Sequence, residues 1–317
     1  MNSTNPDAKQ GRGPEERKLP TTDERVLPTT DERVIETPWE TGLQRDLRGM
    51  IWQPVGAPPV GSVVMVHGLG EHSQRYRTLA EDLARAGWAS FAADLPGHGN
   101  SPGRRGHVQS YERTLKEIGE MLRSAAEHFP DRPVVLLGHS MGGNLAANYV
   151  LRRKEIAPLV VAPAGLVLSG PMFLPTNPPP RPHIFAAWLT GHLLPWWTIR
   201  APVNAERLTR NEAAVDDLRR DPLVHNRLSL YLGTQLLAQG RHALDHADRI
   251  DLPALLLHGE DDPITSHLAS ESFALRAGPL AKFVSFPGML HEVFHEADRQ
   301  HVVSVLIDWL NELRADA

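Results

Sequence analysis

The chain has 317 residues, 41% hydrophobic and 22% charged, an ordinary globular composition with enough apolar material for one large core or two small ones. Its formal net charge is −5 and no long Lys/Arg run stands out, so nothing in the charge pattern points to a nucleic-acid partner. It has no cysteine, which excludes disulfides, thiolate catalysis and Cys-ligated metal centres.

The first residues, MNSTNPDAKQGRGPEERKLP, contain no apolar segment, so no secretory signal peptide is expected there and a cytoplasmic location is. LPTTDERV then occurs twice in tandem, at Leu19–Val26 and Leu27–Val34. So short a repeat cannot stack into a solenoid and buries little apolar surface, so residues 1–34 read as a disordered polar tail. From residue 35 short apolar runs alternate with amphipathic stretches. Strands are predicted at Ser62–Val66, Ala89–Ala93, Val134–Leu137, Gly165–Ser169, Ala254–Leu257 and Lys282–Phe286. Helices are predicted at Tyr76–Ala86, Tyr111–Glu127, Gly142–Arg153, Leu228–Ala247, Ser266–Ala277 and His301–Arg314. Several strands are unbroken Val/Leu runs, the pattern of strands covered on both faces, and the alternation predicts a mostly parallel sheet flanked by helices. Ile156–Pro175 is nearly charge-free and about as long as a membrane span, but Pro158, Pro163, Pro171 and Pro175 interrupt it. It reads as a buried strand with flanking loops. Between Gly170 and about His225 the chain turns Pro-rich, then apolar and aromatic, then charged, with no readable strand. This divides the fold into a core part at 35–170, a cap or lid insertion at 171–225, and a second core part at 226–317.

Gly138-His139-Ser140-Met141-Gly142 lies between a predicted strand and a predicted helix, the context of a nucleophile elbow. A serine on so tight a turn projects its hydroxyl out of the sheet, and its neighbours must lack bulk for the turn to close. The Met141 amide, at the helix start, would face a developing oxyanion. A serine needs a base and the base an orienting acid, in the chain order Ser, Asp/Glu, His, each at the carboxyl end of a strand. LLLHGEDDP (Leu255–Pro263) runs a strand into an acidic loop, and FVSFPGMLH (Phe283–His291) runs the next into a histidine. Asp262 is the preferred acid, with Asp261 and Glu260 still open, and His291 is the base. The second oxyanion amide is expected from Leu69, between the glycines of His67-Gly68-Leu69-Gly70. His291-Glu292-Val293-Phe294-His295 also matches HExxH, which on a helix would bind zinc. It follows Pro287-Gly288 directly after a strand, a poor start for such a helix, so no metal is expected.

Together HGLGEHSQRY (His67–Tyr76), DLPGHGNSPG (Asp94–Gly103), LLGHSMGGN, TRNEA with DPLV (Asp221–Val224), LLLHGEDDPIT and FPGMLHEVFHE resemble the monoacylglycerol lipases of the α/β-hydrolase fold, over roughly residues 38–314. The resemblance implies an eight-stranded core with a cap inserted after Gly165–Ser169. It implies Ser140 as nucleophile, Asp262 as acid, His291 as base, and Leu69 and Met141 as oxyanion donors. Glu71, Arg75 and His139 match the polar, glycerol end of the family's site, Leu236 and Leu237 its acyl channel, and Gly68 is a further expected substrate-binding residue. The implied reaction is hydrolysis of monoacylglycerols to fatty acid and glycerol, without a cofactor. A lysophospholipase, a general carboxylesterase, a non-catalytic ligand-binding relative and the zinc peptidase are the alternatives. The aromatic cap segments Ile184–Leu189 and Leu193–Trp197 suggest a lid that contacts lipid at a membrane surface.

Overall fold

A computed structural model describes residues 31–40, 47–156, 161–201 and 204–315. Its first strand is β1 (Val34–Glu40), followed by β2 (Arg48–Pro54), β3 (Gly61–Val66), α1 (Arg77–Arg85), β4 (Trp88–Ala93), α2 (Tyr111–His128), β5 (Val134–His139), α3 (Met141–Ile156) and β6 (Gly165–Ser169). The chain then forms α4 (Arg181–Leu193), β7 (Thr198–Arg200), α5 (Glu212–Arg220), β8 (Arg227–Ser229) and α6 (Leu230–Asp245). It closes with β9 (Ala254–Gly259), α7 (His267–Ala277), β10 (Ala281–Phe286) and α8 (Arg299–Ala315). The main sheet has eight strands in the order β1-β2-β4-β3-β5-β6-β9-β10. β1 and β2 join antiparallel, and every pairing from β4 to β10 is parallel. This is the α/β-hydrolase arrangement that the motifs imply.

The unbroken apolar strands explain the two-sided packing. Val134 and Leu136 of β5, with Ala254 and Leu256 of β9, face a core shared with α2, α3, α6 and α7. The alternate residues Val135, Leu137, Leu255 and Leu257 face a second core shared with α1 and α8. A strand's side chains alternate in direction, so a run with no polar residue buries both faces. Serine caps set several helix starts, with Ser110, Ser229 and Ser266 each accepting from an amide three residues on. The apolar stretch tested for a membrane span holds β6 instead, and among the described residues no helix is long and apolar enough to cross a membrane.

Two departures from the sequence reading bear on the site. Strands β1 and β2 are not among the predicted strands; in β1, Glu36 and Pro38 interrupt the apolar pattern of VIETPWE. The structure buries Glu36 on an ion pair with Arg77, and β1 is an edge strand, where proline is tolerated. The insertion does contain a strand, since β7 pairs antiparallel with β8 and joins residues on either side of the boundary drawn at 225. Three-residue strands are too short to leave a periodic signal. Residues 1–30 of the expected tail lie outside the described residues, while Val34 is already part of β1 and buried.

Candidate active site

Ser140 stands between β5 and α3, at the centre of the sheet. Its φ is +52°, a left-handed backbone that a side-chain-bearing residue adopts only at a cost. The turn is pinned on both sides: the Ser140 amide donates to Ser169 O at 2.9 Å, and its carbonyl accepts from Met172 N at 2.9 Å and Asn144 N at 3.1 Å. The flanking glycines are a steric requirement. A Cβ on Gly142 would overlap the Val66 carbonyl, and one on Gly138 would overlap the Gly142 carbonyl. The GxSxG spacing is therefore what lets α3 turn back against β3 and β5.

The other two predicted groups arrive from the ends of β9 and β10. His291 Nδ1 lies 2.7 Å from Asp262 Oδ2, and both side chains are buried. Glu260 and Asp261, the other open candidates, are exposed, their amides turned to Phe286 O and Met289 O. Asp262 Oδ1 accepts from the amides of Ile264 at 2.7 Å and Thr265 at 3.0 Å. Burial alone would raise the Asp262 pKa, but the facing His291 and the hydrogen bonds from His258 and His291 hold it well below the usual carboxylate range. For His291 burial works against protonation, and the charge and hydrogen bond of Asp262 outweigh it, so its pKa lies above the ordinary value. An ionised Asp262 can only accept, so His291 Nδ1 carries the proton and Nε2 is left as the basic nitrogen.

Ser140 and His291 both line a cavity of about 840 Å³. Among the described residues the Ser140 hydroxyl has no hydrogen-bond partner, and neither do the Leu69 and Met141 amides, whose residues line the same cavity. Such contacts commonly tighten only around a bound substrate. The Leu69 loop is held from below. The Gly68 amide donates to Glu71 Oε1 at 2.6 Å, and the Tyr76 hydroxyl donates to the same oxygen at 2.8 Å. Gly70, at φ +81°, packs against the His225 carbonyl of the cap, where a Cβ would not fit.

Gly68, Glu71, Arg75, His139, Leu236 and Leu237 all line this cavity, so the structure brings every predicted pocket residue to one place. One end is ionic. Arg75 is buried and donates to Glu71 Oε2 and to both oxygens of Glu292, each at 2.7 Å. Burial, and secondarily His291, lower the His139 pKa to about 4, so this imidazole is neutral at pH 7. The sequence reading did not give Glu292 this part, since its partner stands 217 positions away. Much of the remaining lining is apolar and includes the cap residues Ile184, Ala187 and Ile199, together with Leu228 of β8. The cap is two-sided: Phe185, Trp188, Leu193, Trp196 and Trp197 are exposed on its outside.

The HExxH segment lacks the geometry zinc would need. Val293–His295 forms a 3-10 turn rather than an α-helix, and His295 Nε2 lies 3.0 Å from Arg75 O, which spends the second imidazole on the backbone. Among the described residues no cluster of three or more metal-ligating side chains occurs.

Residues 57–298 match the family described as serine aminopeptidase, S33. An uncharacterized abhydrolase domain-containing protein of Dictyostelium discoideum is 35% identical over 82% of the chain, which spans only 27% of that protein's length. A monoacylglycerol lipase of Mycolicibacterium smegmatis is 28% identical over 82% of the chain and 91% of its own length. The crystal structure of a monoacylglycerol lipase of Paleococcus ferrophilus superposes with a TM-score of 0.74 at 32% identity, covering 86% of this chain and 99% of that one.

Proposed function

We propose that this chain, which belongs to the serine aminopeptidase S33 family and is a carboxylic ester hydrolase of the monoacylglycerol-lipase kind, cleaves monoacylglycerols to fatty acid and glycerol through an acyl-enzyme on Ser140. The observation that carries the reading is the meeting of a strained serine and a carboxylate-held imidazole at one cavity, with Ser140 at φ +52° and His291 Nδ1 2.7 Å from Asp262.

In this mechanism His291 Nε2 takes the Ser140 proton as the oxygen attacks the ester carbonyl. The Leu69 and Met141 amides hold the tetrahedral oxyanion, and losing one such donor typically costs roughly 100- to 1000-fold in rate. His291 then protonates the departing glycerol oxygen. Water, deprotonated by the same nitrogen, releases the fatty acid. Asp262 keeps the imidazole in one tautomer and stabilises the imidazolium. A single acyl chain fits the apolar arm past Leu236 and Leu237, while the polyol meets the end that holds Glu71, Arg75, Glu292 and His139. Arg75 is already saturated by two carboxylates, so this end suits a neutral polyol better than a phosphate head group. The exposed aromatic face of the cap supports delivery of substrate from a lipid surface.

The test is a panel of monoacylglycerols, lysophospholipids and short-chain esters given to the wild type and to Ser140→Ala. Monoacylglycerols should have the highest kcat/KM, and the variant should be inactive with an unchanged circular dichroism spectrum. A preference for lysophospholipids would move the assignment to a lysophospholipase, and an active variant would end it.

A further inference from the structure

One buried titratable side chain beside the triad has no part in the acyl transfer. His258 is the fifth residue of β9, at 0% exposure. Its Nε2 lies 3.0 Å from Asp262 Oδ2, the same oxygen that receives His291 Nδ1. Its Nδ1 lies 2.8 Å from Ser270 Oγ on α7. The ionised Asp262 offers no proton, so His258 must carry its own on Nε2 and accept at Nδ1 from the Ser270 hydroxyl. Two imidazoles thus flank one carboxylate oxygen with opposite tautomers, protonated on Nε2 in His258 and on Nδ1 in His291. Thr265 Oγ1, 2.7 Å from the same oxygen, stands as a third potential donor, its proton shared in choice with Gly170 O at 3.0 Å.

We propose that His258 is a positioning residue of the hydrolase: anchored by Ser270, it donates to Asp262 Oδ2 so that the carboxylate keeps one orientation and a moderated charge toward His291. The inference rests on the Ser140–His291–Asp262 reading above. The physical reason is the sharing of one anion. The Oδ1 amides fix half of the carboxylate, and on Oδ2 the His258 N–H stands opposite the catalytic His291, beside a Thr265 hydroxyl whose proton has a second acceptor in Gly170 O. The His258 N–H also draws charge from Oδ2 and softens its pull on the His291 proton. Without that donor the carboxylate pulls harder, and His291 loses its proton only at higher pH.

The other groups facing this cluster do not change with His258. His139 packs on the His291 ring at 4.8 Å, and Glu71 and Glu292 act on His291 from the polar end of the cavity. His267 lies 5.5 Å from the His258 ring, with Glu260 and Glu271 beside it, and Arg207 of the cap donates to Pro263 O at 2.9 Å.

The experiment compares His258→Phe, which keeps ring volume but removes both hydrogen bonds, with His258→Gln, whose amide can donate to Asp262 and accept from Ser270. In His258→Phe, kcat should fall roughly tenfold, about the worth of one hydrogen bond to a charged group, with KM unchanged. The acidic limb of its kcat/KM profile should move to higher pH. His258→Gln should recover both the rate and the wild-type limb. A His258→Phe enzyme with kcat within twofold of wild type and an unmoved limb would overturn the inference, as would a His258→Gln enzyme equally slow and equally displaced. Should His258→Phe fail to fold, Ser270→Ala, which frees the ring without removing it, should shift the limb the same way with a loss of roughly threefold; no change in either overturns the inference. A fluorophosphonate probe run in parallel separates the two levels. Wild type unlabelled at Ser140 defeats the triad and this inference together, whereas labelled wild type beside an unaffected His258→Phe defeats this inference alone.

Discussion

Arg75→Met tests how the polar end of the cavity is held together. In the wild type one guanidinium, about 9% exposed, pairs with two carboxylates that are 6% and 5% exposed. Removing it leaves Glu71 and Glu292 buried with no cation, while Met fills much of the vacated space. Breaking a buried pair in this way typically costs about 3–5 kcal/mol. At roughly 2–4 °C per kcal/mol for domains of this general size, Tm should fall by roughly 6–20 °C at pH 7. The pH dependence is the sharper signature. Burial alone would raise both glutamate pKa values, and Arg75 overrides it to hold both below the ordinary 4.5. Their contribution to wild-type stability is therefore present above the unfolded pKa and is lost as pH falls through the lower folded values. In Arg75→Met the override is gone and burial raises both pKa values, so the penalty is greatest at neutral pH and shrinks as the carboxylates protonate. Urea unfolding at pH 7 and pH 4.5 should show the wild-type advantage narrowing at the lower pH. A loss below about 1 kcal/mol at pH 7, or an equal loss at both values, would refute this account of the cluster.

Three further outcomes follow from the same geometry. Because Asp262 raises the His291 pKa, kcat/KM should fall on the acid side with an apparent pKa above 6.5; a limb at or below that value would remove the carboxylate's influence. Gly142→Ala drives a Cβ into the Val66 carbonyl and should abolish soluble expression or cost several kcal/mol, against a tolerated surface Gly56→Ala, whose Cβ meets nothing within 4 Å although its φ of +84° carries a smaller strain. A combined Phe185→Ser, Trp188→Ser and Leu193→Ser variant, altering only exposed cap residues, should lose activity on vesicle-presented monoacylglycerol while retaining that on a soluble short-chain ester; equal losses on both would place these side chains in the pocket instead.

Much of the site was legible because its chemistry is tied to local spacing. GxSxG predicts its own elbow, since Gly138 is demanded by a backbone contact within the turn and Gly142 by the neighbouring strand β3 on which the turn packs. Asp262 and His291 were readable as residues just past strand ends, a position the sheet itself defines. What could not be read depends on which distant segments meet. Glu292 looked like the middle of a zinc motif until Arg75 came to lie against it. His258 sat in the quoted LLLHGEDDP, yet nothing in that string tells that Asp262 would fold back onto it at 3.0 Å. Among the strands, β1 was hidden for the opposite reason, in that a buried carboxylate at Glu36, paired with a half-exposed Arg77, and an edge proline at Pro38 break the alternation used to find it.

The central claim is that the Ser140 hydroxyl is the group made reactive, and mass mapping of an active-site-directed fluorophosphonate adduct tests it most directly. Wild-type enzyme should carry one phosphonyl group, on the peptide containing Gly138–Gly142, with labelling lost in Ser140→Ala and slowed in step with the protonation of His291 as pH falls. An adduct on any other residue, or hydrolysis that persists undiminished without one, would contradict it.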